Sequence, residues 1–85
     1  MADLSLYGFR LTAYRLSKAR AELTVEVLLK GPPEQVIDTL RFNVSLAEGR
    51  QAALGEVKRE VRRVAIVHAD ETPWFEQQLG VVRDL

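Results

Sequence analysis

At 85 residues, 47% of them hydrophobic and 28% charged, the chain has the length of one domain (1–85) and the balance of an ordered globule. Twelve basic and twelve acidic residues leave a formal net charge of zero, so no global field gathers nucleic acid or an anionic membrane, and such binding would fall to a local patch. The absence of cysteine excludes disulfides, thiol nucleophiles and thiolate metal ligands together.

The first ten residues, MADLSLYGFR, carry an acid at Asp3, no basic leader and no apolar block of signal-peptide length. The purely apolar runs Val27–Leu29 and Val64–Val67 are far too short to span a bilayer. The expectation is a cytoplasmic protein without a membrane partner.

From Leu4 to Tyr14 the pattern is that of a strand with a change of phase. Leu4 and Leu6 hold even positions, whereas Tyr7, Phe9, Leu11 and Ala13 hold odd ones. A bulge near Tyr7 and Gly8, or two half-strands joined at a kink, reconciles them. Arg15–Arg20 reads as a hairpin loop. Ala21, Leu23, Val25, Val27 and Leu29 then alternate with Glu22, Thr24 and Glu26, which predicts a strand with one apolar face. Gly31-Pro32-Pro33 ends it. A third strand is predicted over Gln35–Val44, with Val36, Leu40, Phe42 and Val44 on one face, Asp38 at its rim, and Leu28 and Ile37 directed outward.

Ser45-Leu46-Ala47-Glu48 has the form of a capping box and predicts a helix from Ser45 to Ala69. Leu54, Val57, Val61, Val64 and His68 form its apolar stripe. Such a helix is longer than the strands, so its end overhangs the sheet, with Ile66 pointing away from the stripe. Thr72-Pro73 then reads as the start of a separate short helix closed by Gly80, with Phe75, Leu79 and Val82 on one face beside Trp74, a segment that either folds back to finish its own small core or anchors Trp74 and Phe75 in a partner. The fold class is α+β in two layers: a three-stranded antiparallel βββ meander, one long covering helix, and a short C-terminal helix within a tail of about 72–85. The expected core is Phe9, Leu11, Leu23, Val25, Val27, Leu40, Phe42, Leu54, Val57, Val61 and Val64.

No chemistry emerges from the motifs. His68 stands alone beside Asp70 and Glu71, without the paired spacing or third ligand of a zinc site, so no metal and no cofactor is expected. Ser5, Ser17 and Ser45 lie in no nucleophile elbow, and no glycine-rich phosphate loop exists. No catalytic residue is assigned, and the chain is read as no enzyme. Lys58, Arg59, Arg62 and Arg63 would serve an alternative nucleic-acid-binding role through the helix face. Glu56 and Glu60 interleave with them in ion-pair spacing, and Glu22 and Glu26 load the outer sheet face with repelling charge. The reading that remains is a protein–protein interaction or structural module that self-associates or docks into a larger assembly such as a ring, shell or virus particle. Trp74, Phe75, Ile66 and Leu79 are its contact candidates, and an inhibitor or adaptor is a further alternative.

Overall fold

The computed structural model describes residues 3–85. A 3-10 turn at Leu4–Leu6 leads into three strands, β1 (Tyr7–Ser17), β2 (Arg20–Leu29) and β3 (Gln35–Ser45), followed by one helix, α1 (Arg50–Gln78). The strands form an antiparallel meander in the order β1-β2-β3, and α1 covers one face. The second and third strands lie within one residue of where their alternation places them. The hairpin is tighter than expected: β1 and β2 run on until only Lys18 and Ala19 turn, with Lys18 left-handed at φ 52°.

The change of phase in β1 falls later than expected. Leu4 and Leu6 belong to the turn, where Asp3 accepts a hydrogen bond from the Ser5 amide at 3.0 Å. The ladder stays regular from Tyr7 to Leu11, and the register shifts between Leu11 and Ala13. Beyond that bulge Tyr14 lies opposite Leu23 and Leu16 opposite Ala21. Tyr7, Phe9, Leu11, Tyr14 and Leu16 therefore share the helix-facing side, the first three on odd positions and the last two on even ones. A second shift, between Val27 and Leu28, makes Ile37 the extra residue of β3. This corrects the outward assignment of Leu28 and Ile37: Ile37 packs against the core and Leu28 is buried. Asp38 stays exposed at the rim, its carboxylate accepting the Thr39 amide at 2.8 Å.

Ser45 does not cap the helix. The Leu46 amide donates to the Ala19 carbonyl at 2.7 Å, adding a rung to the ladder, and the Leu46 side chain packs on the core. Those contacts hold the chain extended, and the Ser45 hydroxyl accepts only from the Ala47 amide. Helix entry waits for Gly49, whose φ of 96° suits glycine, so Gly49 is the N-cap and not a residue of the first turns. Gly31 is constrained more tightly: at φ 71°, a β-carbon there would lie 2.1 Å from the Pro33 carbonyl.

At its other end α1 runs without interruption through Pro73 to Gln78, so the separate C-terminal helix is not formed. Proline removes one intrahelical donor, and here it does so on an exposed side where water can serve the freed carbonyl. The 29-residue helix is about 43 Å long against about 35 Å for the strands. The molecule measures 54 × 32 × 23 Å, with a radius of gyration of 16.2 Å. A compact chain of this length would have about 12 Å.

Small side chains form the buried seam between the layers. Ala21, Val25, Val27 and Val44 of the sheet meet Ala53, Val57 and Val61 of α1, and Ala65 is buried one turn further on. Phe9, Leu23, Leu40, Phe42 and Val64 pack around them, half-buried. Leu11 and Leu54 depart from the expected core, 52% and 38% exposed. The helix begins five residues later than the capping box suggested, so the turn that would have covered them is absent.

Candidate interaction surface

Two apolar surfaces lie at opposite ends of the molecule. At the hairpin end, α1 covers β2 and β3 but leaves the second half of β1 bare. Leu11, Tyr14 and Leu16 face the helix layer and remain 52%, 68% and 64% exposed. Beside Leu11, under the first turns of α1, runs a groove of about 240 Å³, walled by Phe9, Leu11, Leu23, Leu46 and Leu54, with Arg50 its one charged lining residue; Tyr14 and Leu16 continue the apolar surface beyond it. The register shift after Leu11 places Tyr14 in this surface, whereas continued alternation would have put it on the outer face. The cue available in the sequence was Tyr14 and Leu16 falling on even positions after Leu11 on an odd one.

At the other end, α1 continues past the sheet. Trp74, Phe75 and Leu79 are 52%, 60% and 78% exposed, and exposed Val81 and Val82 follow beyond the helix. Trp74 and Phe75 meet edge to face, ring centroids 4.8 Å apart at 84°, a favourable aromatic geometry. At about 100° per residue, Phe75 and Leu79 project along the same line as Val57 and Val61. The core-facing side of the helix thus persists where no sheet lies beneath it. Trp74 is turned toward the β3 side, in line with half-exposed Val67. Ile66 points almost opposite to Phe75, so the structure groups Trp74, Phe75 and Leu79 and leaves Ile66 apart from them.

Where the helix leaves the sheet it is tied down by Tyr7 and His68. The Tyr7 hydroxyl and His68 Nδ1 lie 2.8 Å apart, with the rings edge to face at 5.7 Å. Loss of water around the Tyr7 phenol raises its pKa above the usual tyrosine value, and nearby Asp70 adds to that. The histidine thereby has a structural partner. Among the described residues no three His, Asp or Glu side chains gather as a metal site.

The basic residues of α1 do not form one patch. Lys58 and Arg62 flank a cavity beside Leu4, Tyr7 and Phe9 on the β1 side. Arg63 lines another beside Ile37 and Asp38 on the β3 side and pairs with Glu60 at 2.7 Å. Arg59 projects between them, away from the sheet. The four spread over about 140° of the helix circumference. On the outer sheet face, Arg10 bridges Glu26 at 3.2 Å and Glu34 at 2.7 Å. Both carboxylates hold the guanidinium charged, raising its pKa.

Among the described residues no helix is long and apolar enough to cross a membrane. Comparison of the chain with protein-family models, with curated proteins and with solved structures finds no match.

Proposed function

We propose that this chain is a non-catalytic, self-associating module, a building block of an assembly in the cytoplasm. The observation that carries the reading is the helix end: an apolar face that packs on the sheet over Ala53–Ala65 runs on to Phe75 and Leu79, which stay more than half exposed among the described residues. Burial of a large aromatic is worth several kcal/mol at about 25 cal/mol per Å². A half-exposed tryptophan beside a half-exposed phenylalanine is therefore a strong local driving force for association. The chain exposes 6825 Å², whereas a compact monomer of 9.6 kDa exposes about 5,100 Å². The strands β1 and β3 also have free edges among the described residues, and zero net charge offers no long-range repulsion between copies.

The test is mass in solution. Light scattering over a range of concentrations is expected to give a mass above that of one chain, and Trp74→Ala to lower it. A monomeric mass at every concentration overturns the reading.

A further inference from the structure

The two uncovered apolar surfaces are complementary in shape and position. One is a hollow: the bare half of β1 with the groove beside Leu54. The other is a projection: the helix end carrying Phe75 and Leu79. Leu54 and Phe75 stand 21 residues apart on one helix, about 30 Å. Both surfaces face the sheet side of that helix. A half-turn that sets the helices of two copies antiparallel brings each projection toward the other copy's hollow at the same time.

Charge follows the same division. Residues 10–20 contain four bases (Arg10, Arg15, Lys18 and Arg20) and no acid, a sum of +4. Residues 70–85 contain four acids (Asp70, Glu71, Glu76 and Asp84) and one base, Arg83, a sum of −3. Arg10 is occupied by Glu26 and Glu34. Arg15 and Arg20 lie on the outer sheet face beside Glu22 and, with Lys18, form no ion pair among the described residues, so they charge this end of the molecule and not the hollow itself, where Arg50 is the charged lining residue. Like ends of two copies repel, and unlike ends attract.

We propose that the occupant of the hollow is a second copy of this chain: the Phe75–Leu79 face of each helix end lies against Leu11, Tyr14 and Leu16 of the other, in a reciprocal two-fold dimer. This rests on the self-association reading above and names its mode. The chain exposes about 1,700 Å² more than a compact monomer of its mass, enough for the about 800 Å² per partner that an ordinary stable interface takes. Reciprocal exchange also closes the assembly, whereas a one-way contact would propagate into a filament.

The chain has no cysteine, so introduced thiols report neighbours without background. Tyr14→Cys and Leu79→Cys are each exposed-site variants; they are mixed and treated with a short thiol-reactive crosslinker, while light scattering follows the unmodified chain. The expected result is a mass of two chains and a mixed Tyr14–Leu79 crosslink in excess of either like-with-like product. Phe75→Ala should raise the dimer dissociation constant about 30-fold, and Gln77→Ala, which projects away from the contact, should leave it unchanged. Far-UV circular dichroism of every variant separates loss of association from loss of fold. A dimer giving only Leu79–Leu79 product overturns the reciprocal mode and leaves self-association standing. A mass that grows without limit, with the mixed product present, overturns closure. A monomer at all concentrations overturns both readings.

Discussion

The two parts of α1 use one apolar face in two ways. Over the sheet that face is built of Ala53, Val57, Val61 and Ala65, all buried. Beyond the sheet, in line with them, stand Phe75 and Leu79, with Trp74 to one side, all more than half exposed. Side-chain size changes where the partner changes. Small residues let a helix backbone lie close to the strands it covers. Large ones reach outward and gain most when something is brought to them. Amphipathic spacing alone does not separate these situations, since the stripe is continuous; the step from alanine and valine to aromatic residues and leucine does.

The comparison is broken most forcefully by placing one charge at each end of the same face. Val61 and Leu79 lie 18 residues apart, about five whole turns, and so point the same way. Val61→Asp places an unpaired carboxylate where the side chain is 6% exposed, at a cost of about 3–5 kcal/mol. Small domains have only about 5–15 kcal/mol of net stability. The expected outcome is a chain that is largely unfolded, or melts far below the parent, by circular dichroism. Leu79→Asp, at 78% exposure, should leave the fold intact and change the stability of the isolated chain by no more than about 0.5 kcal/mol, while weakening association. Equal effects of the two substitutions on folding would refute the division of the helix into two uses.

Pro73 sharpens the boundary. It lies inside α1 between the tethered and the free portions, where proline costs a helix about 3 kcal/mol relative to alanine. Pro73→Ala should therefore stabilise Trp74–Gln78 against local opening. Slower amide hydrogen exchange at Phe75–Gln78, with unchanged exchange at Val57–Val61, is the expected signature. If the proposed dimer pre-organises on this segment, the same variant should associate more tightly, because less order is lost on binding.

Much of the fold was legible in the residues, and the misses have physical causes. Strict alternation marked β2 because its helix-facing positions carry Ala21, Leu23, Val25 and Val27 in unbroken period two. The stripe at Val57, Val61 and Val64 marked the helix. Its start was misplaced because Ser45–Glu48 satisfies a local capping pattern while Leu46 is held by a longer-range bond to Ala19. Pro73 was read as a beginning because proline favours a first turn, yet an exposed helix tolerates it inside. The same limits apply to the candidate surface. Trp74, Phe75 and Leu79 stood out as apolar surplus, but the hollow at Leu11, Tyr14 and Leu16 depends on the register shift after Leu11 and on the late helix start. The register shift left only the change of phase from Leu11 to Tyr14 and Leu16 as a cue, and the late helix start left none. Ala21, Ala53 and Ala65 were passed over for the core because hydrophobic weight was counted and closeness of approach was not.

The smallest effects belong to the tie between the two portions. Tyr7→Phe removes the hydroxyl that meets His68 at 2.8 Å and keeps the ring contact, at a cost of about 1 kcal/mol. For a chain of this size that is a fall in Tm of about 4–8 °C. The pH dependence has a definite sign. The Tyr7 phenol is harder to ionise in the fold than in the unfolded chain, because burial disfavours the phenolate and Asp70 repels it. Its contribution to stability is thus fully present below the ordinary tyrosine pKa near 10, and is lost as pH rises through the higher folded value. Urea midpoints measured at pH 8 and pH 10.5 should diverge more for the parent chain than for Tyr7→Phe. Because Tyr7 and His68 meet where α1 leaves the sheet, that loss should be felt as earlier opening of the helix end, with Ala53–Val61 still protected. An equal drop in both variants would place the alkaline sensitivity elsewhere and remove Tyr7 as the fastening between the buried and exposed portions of the helix.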